Sequence, residues 1–428
     1  MTKIREHARG ISEKRQRTTR RSLLLATLFV LPLIATLPAQ AQTFSLFHKF
    51  TGGKAGDSPG GGVIRDARGS FYGVTQMGGS FNYGTVFELD RAGKETVLHS
   101  FTGEDGLWPS ADLVRDGEGN LYGVTSDGGT AEGGKCQFGC GVVFRVDPTG
   151  KETVLHAFTG GADGGDPFTP LLLDKDLNLY GVTFSGGDLT CDTTRLGCGV
   201  VFKLNKTGKE IILHTFTGGR DGAGPSTLIR DASGDLYGST GGGGDPNCNR
   251  GYGCGTVFKL NRTGEKTILY SFADEADGDD PQGLIRDATG NFFGVTWQGG
   301  DLSACGGYGC GTVFALDTAG QETVLFTFTG GTDGANPNSP LIRDVSGNLY
   351  GVTEDGGDLN CYANIGCGIV FKVDTAGNET VLHTFAGTDG EFVRGLIRDT
   401  TGNFYGTTYH GGNNKCVYGC GLVFKLTP

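Results

Sequence analysis

One unit of sequence recurs seven times after residue 42, and this periodicity constrains the fold more than any other feature. The copy at residues 284–328 reads LIRDATGNFFGVTWQGGDLSACGGYGCGTVFALDTAGQETVLFTF. An aromatic residue followed by Gly marks every copy, and successive marks are 50 to 58 residues apart. The aromatic residues are Tyr72, Tyr122, Tyr180, Tyr237, Phe293, Tyr350 and Tyr405. A period this regular makes the repeat the structural unit.

Each copy contains four short segments typical of strands, and turn residues separate them. In the copy above these segments are 284–287, 292–296, 311–317 and 322–328, which we letter A to D. Gly and Asn between A and B tolerate the positive backbone angles of a tight hairpin. Four antiparallel strands in each unit, repeated seven times, predict an all-β fold, a seven-bladed β-propeller.

The chain termini predict how the ring closes. The seventh copy stops after its strand C, whereas residues 43–50 match the strand D pattern although they precede the first copy. We therefore expect the N-terminal strand to complete the last blade, so that no sheet edge is left open at the seam.

Loop lengths predict which face of the propeller carries function. The A–B and C–D turns are short and nearly uniform, whereas the B–C loops vary and the D–A loops carry variants of TGG-x-DG-x-x-P. Strand direction places both variable sets on one face, which we call the loop face. Variable loops on a rigid scaffold are the usual place for binding.

Residues 1–41 resemble a signal peptide, leaving residues 42–428 as a single propeller domain. A basic segment precedes an apolar run and an Ala-Gln-Ala cleavage pattern. The alternative is an uncleaved N-terminal anchor. We expect a secreted, periplasmic or cell-surface protein without a membrane span after cleavage. Residues 1–41 hold eight Lys/Arg and two Asp/Glu, so the remainder has 28 basic and 45 acidic residues, a net charge of −17. This charge disfavours nucleic acid and anionic membranes as partners.

Twelve cysteines fall in pairs, one pair in each B–C loop of copies two to seven. The second Cys always precedes the Gly that opens strand C, whereas the first lies four to seven residues upstream. Zinc would need four ligands at a constant spacing. We therefore predict six local disulfides and no metal site. The pairs are Cys136 with Cys140, Cys191 with Cys198, Cys248 with Cys254, Cys305 with Cys310, Cys361 with Cys367 and Cys416 with Cys420.

The residue after the recurrent strand B Thr differs in every copy and supplies the candidate ligand-binding residues. They are Trp297, Tyr409, Glu354 and Phe184, joined by His410, which follows Tyr409. Aromatic faces beside an acid suit a sugar or peptide. The alternative is that these residues only pack the loops. Five other histidines share one strand D position that Phe326 occupies elsewhere, which indicates packing. The chain has no nucleophile elbow, HExxH or phosphate loop, so no catalytic residue and no cofactor is assigned.

The repeated unit resembles a known family. LIRD-xx-GN-(L/F)-(Y/F)-G-x-T followed by GTVFKLD-x-(T/A)-G-x-E-TVLH-x-F is similar to the GloVer tandem repeat of exported bacterial proteins of the choice-of-anchor kind. The likeness covers residues 43–428. It implies a secreted or surface repeat protein of unassigned biochemical role.

Two classes of function stay open at this stage. We favour a non-enzymatic binding or scaffolding propeller, expected to be a monomer, with an extracellular glycan, peptide or protein as its partner. The alternative is a propeller lyase or hydrolase that acts on an extracellular polysaccharide or peptide. A catalytic site should interrupt the repeat with a compact polar cluster. The best candidate cluster combines His410 and Tyr409 with Glu354 and Asp355.

Overall fold

The computed structural model of the chain describes residues 42–129, 136–191, 195–273 and 276–427. These residues form seven antiparallel sheets, one for each repeat, and the predicted seven-bladed β-propeller is confirmed. The predicted signal peptide, residues 1–41, lies outside the described residues. Within the described ranges, the helices are five single 3-10 turns, and none is long and apolar enough to cross a membrane.

The strands follow the order A–B–C–D in space as in sequence. Strand A is Asp57–Pro59 with Ile64–Arg65, Leu107–Pro109 with Val114–Arg115, Leu172–Leu173, Ala223–Arg230, Asp279–Arg286, Ala335–Pro337 with Ile342–Arg343, and Glu391–Arg398 in blades one to seven. Strand B is Phe71–Met77, Leu121–Asp127, Leu179–Thr183, Leu236–Gly242, Phe292–Gln298, Leu349–Asp355 and Phe404–His410.

The outer strands are equally regular. Strand C is Thr85–Leu89, Val142–Val146, Val200–Leu204, Thr256–Leu260, Thr312–Leu316, Ile369–Val373 and Leu422–Thr427. Strand D is Glu95–Ser100, Glu152–Ala157, Glu210–Thr215, Lys266–Ser271, Glu322–Thr327, Glu379–Thr384 and, for blade seven, Thr43–Lys49. The 3-10 turns are Gly53–Ala55, Gly219–Asp221, Asn249–Gly251, Cys305–Gly307 and Tyr362–Asn364. The sequence did not predict these turns, and it placed the start of strand A in blade five several residues too late.

The N-terminal strand closes the ring as expected. Thr43–Lys49 pairs antiparallel with Leu422–Thr427, from Thr43 opposite Thr427 to Lys49 opposite Leu422. Strand D of blade seven is therefore supplied from the other end of the chain. The outer edge of strand C in that blade is paired rather than exposed.

A ring of phenylalanine pairs forms the core between neighbouring blades. The fully buried Phe that follows each strand D contacts the fully buried Phe of strand C in the next blade, and the ring centroids are 5.0–5.4 Å apart. The Gly after the marker aromatic makes room for that second ring. A Cβ on Gly73 would lie 2.6 Å from the ring of Phe87, its partner across the sheet. The aromatic-Gly signature is thus a packing requirement of the blade.

The spacing between the Asp of LIRD and the aromatic residue is the same in every repeat, and it also has a local cause. In blade two the Oδ1 atom of Asp116 accepts hydrogen bonds from the backbone N–H groups of Glu118 and Asn120, at 2.9 Å each. Its other oxygen accepts from the hydroxyl of Tyr122 at 3.0 Å. Hydrogen bonding of this kind holds the pKa of the carboxyl group below its usual range, although burial opposes the shift. The Asp therefore caps the A–B turn.

All six predicted disulfides are present, and no cysteine is free. The paired Cα atoms lie 5.1–6.2 Å apart, within the usual range for a bridge. Each bridge closes a loop of a few residues within one B–C connection.

Candidate functional site

On the loop face, a residue in the left-handed backbone region lies at or shortly before the start of strand A in each blade. In six blades Pro follows it. The seven residues have φ between 56° and 59° and are Ser58, Trp108, Asp166, Gly224, Asp280, Asn336 and Phe392. Six of them carry a side chain, for which this conformation is unfavourable. Contacts with the rest of the fold must therefore maintain it.

The preceding blade provides one such contact. The N–H of each left-handed residue donates to the carbonyl of the residue just before the Gly that opens strand C, as from Asn336 to Cys310 at 2.9 Å and from Asp280 to Cys254 at 3.2 Å. In six of the seven interfaces this acceptor is the second Cys of a disulfide, and between blades one and two it is Tyr83. Each disulfide thus anchors the loop that positions strand A of the next blade.

The next residues along strand A converge at the centre of the loop face. Together they line a cavity of about 270 Å³, which we call the channel mouth. The second position after each left-handed residue contributes one residue from every blade: Gly60, Ser110, Phe168, Ser226, Gln282, Asn338 and Arg394. Because these seven equivalent positions carry six different residue types, with Ser at two of them, the channel mouth is asymmetric although the fold around it is repetitive.

Trp297 lies directly in the channel mouth. It is half-buried at the end of strand B in blade five, and its backbone carbonyl accepts a hydrogen bond from the side-chain amide of Asn336 at 2.9 Å. The buried Thr296 before it donates its hydroxyl to the carbonyl of Gln298 at 2.8 Å. The recurrent Thr therefore fixes the strand end. Trp297 is free to face the cavity.

Tyr409 borders a recess of about 370 Å³ that shares Gly60, Ser110, Phe168 and Arg394 with the channel mouth. Its hydroxyl donates to the Oε1 atom of Gln76 at 2.8 Å, across the seam between blades seven and one. The guanidinium of Arg394 lies over its ring, 5.6 Å from the centroid. The tyrosine is therefore held in place before any ligand arrives.

Glu354 is engaged by two neighbours. Its Oε1 atom accepts from Arg394 at 3.0 Å, and its Oε2 atom accepts from the amide of Asn338 at 2.9 Å. Because both oxygens already accept hydrogen bonds, Glu354 positions Arg394 at the channel mouth. Burial, reinforced by the nearby Glu354 charge, raises the pKa of the adjacent Asp355 to about 7.

Phe184 and His410 lie beside the channel mouth. Phe184 is 47% exposed and makes an edge contact with Phe168, which does line the cavity, at 5.6 Å between centroids. His410 borders a separate cleft of about 670 Å³ at blades seven and one, where its ring packs 5.3 Å from Tyr418. Burial, followed by the charge of Arg394, lowers the pKa of its imidazole. The structure thus places Tyr409 and Glu354 in contact with Arg394, places Trp297 in the cavity that Arg394 also lines, and leaves His410 in the outer cleft.

Four residues of the site were missed by the sequence interpretation. Arg394 and Phe168 occupy the second position after the left-handed residue, and Asp112 and Asp280 line the same cavity. Their signal was present, because this strand A position carries six residue types in seven repeats and so varies almost as much as the position after the strand B Thr. The D–A segment was interpreted as a loop, and so its inward-facing residues were not considered.

The strand D histidines are more than packing residues. His99 makes a 2.9 Å contact with the carboxylate of Asp105 in the D–A loop, and the same carboxylate accepts from the N–H of Thr102 at 2.7 Å. Glu152 of the next blade approaches both, and ligand atoms of His99, Asp105 and Glu152 lie within 4.8 Å of one another. This group could hold a metal ion, although the aspartate already orders its own loop. The prediction that the chain binds no metal remains a prediction.

Comparison with solved structures confirms the architecture. The chain matches streptogramin B lyase with a TM-score of 0.58 and 12% identity, over 90% of this chain and 97% of that one. It also matches an extracellular domain ascribed to a hybrid two-component system of B. thetaiotaomicron, with a TM-score of 0.55 and 12% identity. That match covers 90% of this chain and 41% of the other. At such identities the likeness concerns the fold alone.

The sequence comparisons identify the repeat. The model of the Gloeobacter/Verrucomicrobia repeat matches residues 32–245, 130–364 and 302–428, so the overlapping matches span the whole propeller. Comparison with curated protein sequences finds no match.

Proposed function

Because the chain belongs to the Gloeobacter/Verrucomicrobia repeat family, whose unit builds each of its blades, we propose that it is an exported, non-enzymatic binding module whose ligand enters the channel mouth. Six disulfides support export, since such bridges persist in oxidising compartments. The predicted signal peptide at residues 1–41 agrees with this location. A glycan, peptide or protein partner outside the cell follows from it.

The observation that carries this proposal is the asymmetry of the channel mouth. Uniform repeats suffice to build the propeller, yet its centre combines Trp297, Phe168, Arg394 and two carboxylates in one cavity. Apolar walls with a few placed polar groups are typical of ligand sites. The hydrogen bonds of Tyr409 and Glu354 organise the site in advance. Such order reduces the entropy lost on binding.

The test is a glycan and peptide array probed with the secreted protein, repeated with calcium chelated, followed by affinity measurements on variants. Trp297→Ala should weaken binding of any ligand found by about 1–3 kcal/mol while leaving the melting temperature unchanged within a few degrees. Tyr252→Ala is the matched control, because Tyr252 is 78% exposed on the loop face and lies outside the channel mouth. Lys151→Ala on the opposite face is a second control. Loss of binding in the controls, with Trp297→Ala unaffected, would refute the site.

A lyase or hydrolase is the second candidate, and one observation favours it. Burial, with the nearby Glu354 charge, raises the pKa of Asp355 to about 7, so this carboxyl group could exchange protons close to neutrality. The structural likeness to streptogramin B lyase agrees with an enzymatic use of this fold. Turnover of an array ligand, abolished in Asp355→Asn and retained in Tyr252→Ala, would establish the enzyme and overturn the binding-only role.

A further inference from the structure

Two carboxyl groups line the channel mouth without a basic partner. The Oδ1 atom of Asp112 accepts from the N–H of Gly62 at 2.6 Å, and the Oδ1 atom of Asp280 accepts from the amide of Gln282 at 2.8 Å. Among the residues that the structure describes, neither carboxylate forms an ion pair with Lys, Arg or His. When ionised, each therefore contributes a negative charge to the cavity that no ion pair with a described residue offsets.

Arg394 does not neutralise them. It is the one basic side chain among the described residues that line the channel mouth, and its guanidinium is paired with Glu354 at 3.0 Å. That pair is electrically neutral, so Asp112 and Asp280 leave the cavity with two negative charges when both are ionised. The strongly acidic balance of the chain adds a field of the same sign.

The pKa values of Asp112 and Asp280 also indicate that no positively charged group of the described residues lies beside them. Burial raises the pKa of both carboxyl groups, in the case of Asp280 to about 6, because the hydrogen bonds from Gly62 and Gln282 only partly replace water. A cation placed among these groups would stabilise their ionised forms.

Aromatic rings form other parts of the same wall. Trp297 and Phe168 line the channel mouth together with the two acids, and Tyr409 borders the adjoining recess. The faces of aromatic rings attract cations, tryptophan most strongly. A compact divalent ion would gain little from these rings, whereas an alkylated ammonium group can contact rings and carboxylates at once. The cavity, at about 270 Å³, has room for such a group, since a water molecule occupies about 30 Å³.

We propose that the ligand of the channel mouth carries an organic ammonium group, which Asp112 and Asp280 bind as counter-ions and Trp297 and Phe168 enclose. This inference rests on the proposed binding function and specifies the chemistry of the ligand. The neutral pair of Arg394 and Glu354 would border the remainder of the molecule.

The experiment compares two probes of the same shape. Choline carries a quaternary ammonium group, and 3,3-dimethylbutan-1-ol is its uncharged counterpart. Calorimetry or ligand-observed NMR with the secreted protein should show choline binding at least tenfold more tightly. Asp112→Asn and Asp280→Asn should each weaken choline binding several-fold and leave the affinity for the alcohol unchanged. The two substitutions are made singly, so that one folded variant is enough for the test. Asp245→Asn, in an outer loop of the same face, should change neither.

Other outcomes separate the two proposals. Equal affinity of both probes would overturn the ammonium inference, and so would saturation of the site by calcium with release of choline. The binding function would still stand if Trp297→Ala weakened an uncharged array ligand. If no ligand of either charge depended on Trp297, the binding function itself would fall, and the ammonium inference with it.

Discussion

The closure of the ring by Phe50 predicts a large and specific loss of stability. Phe50 follows strand Thr43–Lys49, is fully buried, and packs at 5.0 Å against Phe87 of blade one. Replacing a buried phenylalanine by alanine removes its apolar surface and leaves a cavity, which costs about 3–5 kcal/mol. The aromatic contact itself accounts for about 1 kcal/mol of that sum. Phe50→Ala should therefore lower the free energy of unfolding by about 3–5 kcal/mol.

Guanidinium chloride unfolding followed by tryptophan fluorescence, with the disulfides intact, measures this loss. Phe101→Ala is the benchmark, because Phe101 occupies the same position in blade one and packs at 5.1 Å against Phe144. Leu46→Ala is the control within the N-terminal strand, since Leu46 is 40% exposed. It should cost less than about 1 kcal/mol. Deletion of residues 42–50 should be more damaging still. If Phe50→Ala matched the unaltered protein while Phe101→Ala was destabilised, the N-terminal strand would not close the ring in solution.

Three further predictions follow from other contacts. Peptide mapping without reduction should find each cysteine linked within its own loop, and a link between blades would contradict the structure. Burial raises the pKa of Glu152, Glu210 and Glu379 to about 7, so the folded state binds more protons than the unfolded state. Their contribution to stability is full below pH of about 4.5 and is lost as the pH rises through about 7. The melting temperature should fall over this range, and Glu152→Gln should flatten the fall; a constant melting temperature would show normal carboxyl groups. Lys266→Ala should cost about 2 kcal/mol, because the nearly buried ammonium contacts Asp221 at 2.8 Å. An unchanged denaturation midpoint would show that this pair contributes nothing.

The strand D position that Lys266 occupies in blade four shows how one fold accommodates different chemistry between blades. Where blade four has Lys266 opposite the D–A aspartate, blade three has Glu210, and blade seven has Phe44, which stacks at 3.9 Å on His383. At this one position Lys266 forms an ion pair, Glu210 is a carboxyl group with a raised pKa, and Phe44 stacks on an imidazole ring. The repeat tolerates them because the phenylalanine pairs beneath maintain the interface.

The periodic features of this protein could be predicted from sequence because they have local causes. A tight A–B turn needs an aspartate and a glycine at set distances, and a Cys pair a few residues apart can form a bridge without distant information. Strand D of the last blade was also predictable, since residues 43–50 repeat a pattern already seen six times. Trp297, Tyr409 and Glu354 were selected because they interrupt the repeat. In the structure Tyr409 and Glu354 contact Arg394, and Trp297 lines the same cavity as Arg394.

Tertiary structure alone decided what these residues do together. Arg394 and Glu354 are 40 residues apart, and Tyr409 and Gln76 are 333 apart. Arg394 and Glu354 become neighbours because blades six and seven pack side by side, and Tyr409 and Gln76 become neighbours only when the ring closes. The left-handed residues near the start of strand A each donate a hydrogen bond to a carbonyl of the preceding blade. Because that partner lies in another repeat, the sequence of the D–A segment alone did not predict that it turns toward the channel. Sequence determines the blade because its interactions repeat within about 55 residues. The channel mouth depends on seven such units meeting at one axis, and its charge and shape exist only there.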